Sequence, residues 1–158
     1  ISANFDESVT PQPSSDIGRA LVEIENGLAQ MQDIDCDIIR FAGLVGNDRH
    51  PVYSLVGKQD LKCGHSPVNL VHLDDCARAI QLLLGTPGGY RLYHLSAPMH
   101  PTREAYYQYA AEKYGLEPPH FISSEQDPQR IIMAEKICHE LEFVYQYPDP
   151  NLMLTTEE

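Results

Sequence analysis

Val68-Asn69-Leu70-Val71-His72-Leu73-Asp74-Asp75-Cys76-Ala77-Arg78-Ala79-Ile80-Gln81-Leu82-Leu83-Leu84 changes its period partway along. Val68, Leu70 and Val71 favour an extended backbone. From Leu73 the apolar positions Leu73, Cys76, Ala77, Ile80 and Leu84 recur at the three-and-four spacing of a buried helical face. Asp74 and Asp75 stand in the first turn, where carboxylates face unpaired N–H groups and the positive end of the dipole. A strand feeding directly into a helix is an α/β building block. Upstream, Cys36-Asp37-Ile38-Ile39-Arg40-Phe41-Ala42-Gly43-Leu44-Val45-Gly46 reads as an apolar, buried parallel strand running into a glycine-bearing turn. Downstream, Tyr90-Arg91-Leu92-Tyr93-His94-Leu95 reads as a third strand.

Taken in order, Ile38 to Gly46, Val68 to Leu84 and Tyr90 to Ala97 resemble the C-terminal half of an extended short-chain dehydrogenase/reductase, the group of nucleotide-sugar epimerases, dehydratases and reductases. The most specific marks are Arg40 six residues before Gly46 and the Val71-His72-x-x-Asp75 turn. The resemblance covers nearly the whole chain but only the second half of such a protein. It implies an α/β fold, part of an NAD(P)-binding Rossmann-like doubly wound parallel sheet plus a small substrate lobe. Residues 1–158 would form one domain, with the lobe mainly at 47–68 and 98–158.

The resemblance also assigns roles. Phe5-Asp6-Glu7-Ser8 is similar to the segment that precedes the active-site helix, which in these enzymes carries a Tyr-x-x-x-Lys pair. Anchored on Glu25, the register puts Ile17 at the tyrosine and Leu21 at the lysine. Neither side chain can move a proton, so the usual acid–base chemistry is absent and the catalytic residues are unknown. Ala42, Gly43 and Leu44 would pass the nicotinamide at the C-terminal edge of the sheet; alternatively, Gly43 and Gly46 serve only a tight turn. In Asn47-Asp48-Arg49-His50-Pro51, Arg49 and His50 are the candidate substrate contacts, against a solvated-loop reading. Val68 replaces an arginine that binds substrate diphosphate in the epimerases, which removes the means of neutralising phosphate charge. Asn69 and His72 would reach the same cleft, unless His72 is a buried histidine bonded to backbone that orients the strand-to-helix turn. Arg40 is read as a structural cation, paired with an acidic side chain or a helix C-terminus, with direct substrate contact as the lesser reading.

Composition bounds the rest. One domain is the expectation for 158 residues. A net charge of −12, from 23 acidic and 11 basic side chains, argues against nucleic acid or an anionic membrane as partner. No apolar run approaches the ~20 residues of a membrane span and no signal peptide is visible, so a cytoplasmic protein is expected. Cys36, Cys63, Cys76 and Cys138 include no CxxC pair and read as thiols of a reducing compartment. Cys63 and His65, the nearest mixed pair, lack further ligands, so no metal site is expected.

The remaining segments follow from local signals. Ile1 to Ser15, with Pro11 and Pro13, reads as a surface loop; the absence of an initial Met suggests a fragment. Ser15 or Asp16 caps a helix lined by Ile17, Leu21, Ile24, Leu28 and Met31. Pro51 to Lys62 reads as a short helix and turn with Leu55, Val56 and Leu61 inward. Thr102 caps a helix carrying Tyr106, Tyr109 and Tyr114 and ending at Gly115; its tyrosines read as a core face with a wet edge. Gln129 to Met133 reads as a strand, Ala134 to Leu141 as a helix, Phe143 to Tyr147 as extended and Asn151 to Glu158 as a frayed tail. Glu142 stands where the resemblance expects glycine.

No Gly-x-Gly-x-x-Gly turn occurs to cradle a pyrophosphate. NAD or NADP would therefore be held only with the N-terminal half present. Without that half, the helices would expose large apolar area, which a soluble monomer seldom tolerates. A missing N-terminal half or a second copy of the chain is thus expected as partner, alongside a small-molecule substrate. Two functions remain open: an NAD(P)-dependent epimerase/dehydratase- or reductase-like protein acting on a sugar-related substrate, or a non-catalytic nucleotide-sensing or protein-interaction module of the same fold.

Overall fold

The computed structural model describes residues 2–31, 33–46 and 49–154. The first two residues of the expected substrate loop, Asn47 and Asp48, and the end of the expected tail, 155–158, lie outside the described residues.

Cys36–Phe41 (β2) and Tyr90–Leu95 (β6) form the longest strand pair, parallel and in register from Cys36 opposite Tyr90 to Phe41 opposite Leu95. A bidentate ion pair from Arg91 to Asp37, at 2.6 and 2.9 Å, fixes that register near its start. Gly43–Val45 (β3) continues β2 but pairs with Leu70–His72 (β5) instead, also parallel. Parallel strands need crossover connections, and here Leu73–Leu84 (α2) carries the chain from β5 to β6.

The side chains of β2 and β6 alternate between two faces. On one face Arg40 reaches Glu25 of Asp16–Ala29 (α1). On the other, Tyr93 and Leu95 share an apolar cluster with Cys76, Ala79 and Leu83 of α2. Helices on opposite faces of a parallel pair make this a doubly wound α/β arrangement, of which only part is present. The same cluster takes in Ile137 from Lys136–Leu141 (α4), together with Phe143 and Tyr145. A second cluster joins Val45, Val52, Val68 and Leu70 to Tyr106, Tyr107, Ala110 and Ala111 of Arg103–Lys113 (α3).

Several caps follow the sequence. The Ser15 side chain accepts from Gly18 N, that of Thr102 accepts from Ala105 N, and Gly115 takes a left-handed φ of 63° just beyond α3. Tyr106 and Tyr107 are buried while Tyr109 faces water, as a core face with a wet edge requires.

Four expectations need correction. The segment before Ser15 is not all loop: Ser2–Phe5 (β1) pairs in parallel with Gln129–Ile132 (β8). Its alternation of short polar and apolar residues hid a strand whose partner lies far along the chain. In α2 the buried residues are Asp75, Cys76, Ala79 and Leu83, whereas Leu73, Ile80 and Leu84 are exposed. The helix carries two apolar stripes, and spacing alone chose the wrong one as the core face. Pro51 to Lys62 holds a 3-10 helix at Pro51–Ser54 and a strand, Leu61–Lys62 (β4), which pairs with Phe121–Ile122 (β7). There Val52 is fully buried and Val56 is exposed. Finally, residues 151–154 are not frayed: Pro150–Met153 is a 3-10 helix, and Met153 and Leu154 are buried in the second cluster. The Lys113 amine, donating to Leu154 O, ties this end to α3.

Among the described residues, no helix is long and apolar enough to cross a membrane, and no cluster of side chains could hold a metal ion.

Candidate functional site

The candidate site lies where β2 hands over to β3. Ala42 N donates to Leu95 O at 2.9 Å, and Gly43 N donates to Asn69 O at 3.0 Å. Between these residues the backbone leaves β6 and takes up β5, so the C-terminal strand ends sit side by side. Gly43 stands there for close approach, because a Cβ would lie 2.8 Å from Leu70 Cδ2 and 3.1 Å from Asn69 O. Gly46 serves a turn, exchanging backbone hydrogen bonds with Arg49, and a Cβ on it would strike the Leu73 side chain. The register then sets Leu44 opposite Val71 and Val45 opposite His72. Ala42, Gly43, Leu44, Asn69 and His72 thus come together on neighbouring strands, with exposed Arg49 across the turn.

His72 terminates β5 and caps α2. Its Nδ1 accepts from Asp74 N at 3.2 Å, which leaves the ring proton of the neutral form on Nε2. The side chain is buried, with its ring 4.0 Å from that of Tyr147. Bonded to backbone at the strand-to-helix turn, His72 is the orienting histidine that its position suggested.

Asn69 is engaged on both sides of its amide. Its Nδ2 donates to Arg130 O at 3.0 Å, and its Oδ1 accepts from Ile132 N at 2.8 Å. One side chain therefore acts as a rung between β5 and β8. His50 turns inward, away from the strand ends. Its Nδ1 accepts from Val52 N at 3.1 Å, and Nε2 lies 2.8 Å from the Tyr106 hydroxyl. Burial lowers the His50 pKa from the usual 6.5 to about 4, so the ring is neutral at physiological pH.

Arg40 has an acidic partner, as read from the sequence. Its Nε lies 3.0 and 3.2 Å from the two Glu25 carboxylate oxygens, Nη2 also donates to Glu25, and Nη1 lies 3.4 Å from His94 Nε2. The Glu25 hydrogen bonds raise the Arg40 pKa above its ordinary value. Beside this pair is a cavity of about 450 Å³ lined in part by Phe5, Asp6, Arg40, His94 and Arg130.

Two carboxylates hold the site through partners that the sequence did not point to. Asp75, fully buried, accepts from Gln146 N at 2.8 Å, Tyr147 N at 3.0 Å and Arg78 Nη1 at 2.9 Å. It ties the start of α2 to the chain near the C-terminus rather than only answering the helix dipole. Glu7 accepts from His94 N at 2.7 Å, on the edge of β6 away from β2. The backbone partners of both are more than 70 residues away, beyond any local pattern.

On α1, Ile17 and Leu21 are exposed, and no residue of the helix is buried.

Comparison with known proteins agrees with this architecture. No family model matches the chain. Protein YeeZ of Escherichia coli K12 is 44% identical over 148 residues, which are 93% of this chain and 54% of that protein. The chain thus spans about half the length of the curated relative it matches. A functionally unknown conserved protein from Silicibacter pomeroyi superposes with a TM-score of 0.82 at 20% identity, covering 97% of this chain and 59% of that one. The dTDP-glucose 4,6-dehydratase of Bacillus anthracis, solved with NAD, gives a TM-score of 0.75 at 17% identity, covering 97% of this chain and 54% of that one. At such identities the likeness establishes the fold: this chain has part of the Rossmann-type fold of NAD-binding epimerases and dehydratases.

Proposed function

We propose that this chain is the C-terminal half of an NAD(P)-dependent epimerase/dehydratase- or reductase-like protein acting on a sugar-related substrate, with the Tyr-x-x-x-Lys chemistry lost. The observation that carries the reading is the set of strand ends at 42–44 and 69–72, arranged as in a fold whose solved members include NAD-bound enzymes. In this reading residues 1–158 are one domain, with a substrate lobe mainly at 47–68 and 98–158.

The fit of a nicotinamide at Ala42, Gly43 and Leu44 is limited in kind. The Ala42 and Gly43 amides already donate to Leu95 and Asn69, so these residues would offer carbonyls and apolar surface. The bound cofactor would supply hydride transfer; this half would orient it and shape the substrate cleft, while its pyrophosphate would be held elsewhere. Exposed Arg49 is the proposed cationic contact to substrate. Asn69 and His72 would act mainly by positioning, since Asn69 is spent on β8 and His72 on α2. His50 would support the lobe beneath Arg49 through Tyr106.

Ile17 and Leu21 favour a second reading, a nucleotide-sensing or protein-interaction module that has kept the fold without turnover. The test is a thermal shift of the longer protein containing this chain with NAD(H) and NADP(H), followed by a panel of aldehydes and keto-sugars. At a hundredfold excess over Kd, binding adds about 2.7 kcal/mol of stability and raises Tm by several degrees. A shift with turnover supports the enzyme. A shift without turnover supports the sensing module, and the absence of any shift removes the cofactor from both.

A further inference from the structure

The cavity of about 450 Å³ beside the Arg40–Glu25 pair is lined by none of Ala42, Gly43 and Leu44. Arg40 and His94, which stand opposite each other in the register of β2 and β6, supply one part of its wall. The segment that runs from β1 toward α1 supplies another, with Phe5 and Pro11 as apolar surface and Asp6, Thr10 and Gln12 as polar groups. Arg130 joins them from β8, the strand paired with β1. Apolar walls with a few convergent polar groups, at this volume, are the form of a small-molecule site.

The hydrogen bonds decide which of these groups can meet a ligand. Arg40 is spent, since Glu25 takes Nε and Nη2 and Nη1 faces His94. His94 Nδ1 lies 3.2 Å from Met133 O, which holds the proton of the neutral ring there and leaves Nε2 as an acceptor toward Arg40. Arg130 is uncommitted. Its carbonyl accepts from Asn69 Nδ2 at 3.0 Å, which fixes the strand that carries it. Its guanidinium has no hydrogen bond or ion pair among the described residues. On the acidic side, Asp6 Oδ1 accepts from Ser8 N at 2.9 Å and Ser8 Oγ at 2.5 Å, so Oδ2 is left to accept from a ligand.

We propose that this cavity holds a small polyhydroxylated carboxylic acid, a sugar acid, with its carboxylate on the Arg130 guanidinium and its hydroxyls on Asp6, Thr10 and Gln12. A guanidinium receives a carboxylate through two parallel hydrogen bonds, which gives orientation as well as affinity. The Asp6 carboxylate accepts from hydroxyls and repels a second negative charge. One uncommitted cation facing one carboxylate therefore suits a monoanion better than a diphosphate, in keeping with Val68 at the position of the diphosphate arginine. A neutral sugar would leave Arg130 unanswered. This rests on the sugar-related substrate proposed above, narrowed to a sugar acid.

The test is calorimetric titration of D-galacturonate and D-galactose, a carboxylate against a hydroxymethyl on the same ring, into the longer protein that contains this chain and into its Arg130→Gln variant. Galacturonate is expected to bind at least about tenfold more tightly than galactose. Arg130→Gln is expected to remove that preference and leave the galactose affinity unchanged. Equal affinities in the unaltered protein, binding of neither sugar, or a preference that survives Arg130→Gln would overturn the proposal. The comparison in the unaltered protein needs no variant, so a folding defect cannot mimic its result. Inorganic pyrophosphate binding more tightly than galacturonate, and losing that affinity in Arg130→Gln, would overturn it in favour of a phosphate ligand. The NADH thermal shift reads the cofactor separately: a shift without a galacturonate preference removes the sugar acid and leaves the cofactor in place.

Discussion

Glu142 ends α4 in the left-handed region, with φ 53° and ψ 30°, a conformation that glycine adopts without cost. Its replacement, Glu142→Gly, is expected to stabilise the protein by about 0.5–1 kcal/mol, read as a rise in the urea midpoint at unchanged m. His50 gives the opposite kind of test. Its pKa falls from 6.5 in the unfolded chain to about 4 when folded, so below pH 6.5 the unfolded state binds the extra proton. Stability contributed by the neutral ring is complete above pH 6.5 and is lost as pH falls toward 4, by roughly 3 kcal/mol for this shift. His50→Phe should flatten the urea-midpoint profile in that window; an unchanged slope would place the titrating group elsewhere.

At the scale of elements, the N-terminus of α2 and the segment 146–147 stand or fall together through Asp75. Asp75→Ala would strand two buried backbone N–H groups, while Arg78 keeps Val144 O and solvent, and a loss of about 2–3 kcal/mol is expected. Asp74→Ala, on the exposed neighbour, should cost less than about 1 kcal/mol. Equal losses in chemical denaturation would refute the role given to Asp75. These two aspartates also show how far the sequence could be read. The Val71-His72-x-x-Asp75 turn, the caps at Ser15 and Thr102 and the strands at 36–41 and 90–95 were legible because their signals are local. β1 and the buried end at 150–154 were hidden because partners far along the chain settle them. The α2 face was misjudged for a related reason: the helix carries two apolar stripes, and spacing does not say which one the strands cover. Within the candidate site, Asn69 and His50 were visible as polar residues at the right places. That Asn69 bridges to β8 and His50 turns toward Tyr106 depends on three-dimensional neighbours.

Across the whole molecule one edge of the β2–β6 pair is capped by Glu7 and Lys136, while among the described residues the other edge pairs with no strand, and Ile17, Leu21 and Ile24 of α1 are exposed. Covering the exposed Ile17, Leu21 and Ile24 side chains would contribute about 1.5–3 kcal/mol each. Ile24→Lys should therefore destabilise the longer protein by at least about 1.5 kcal/mol in urea unfolding, whereas a solvent-facing position would change within about 0.5 kcal/mol. The candidate cofactor contacts at Ala42, Gly43 and Leu44 are backbone and apolar surface at the C-terminal strand ends, without a glycine-rich phosphate turn in the sequence. The most direct test of this account is calorimetric titration of NADH and NADPH into the 158-residue chain and into the longer protein that contains it. Saturable binding to the longer protein alone is the result expected; tight binding to the isolated chain, or no binding to either, would contradict it.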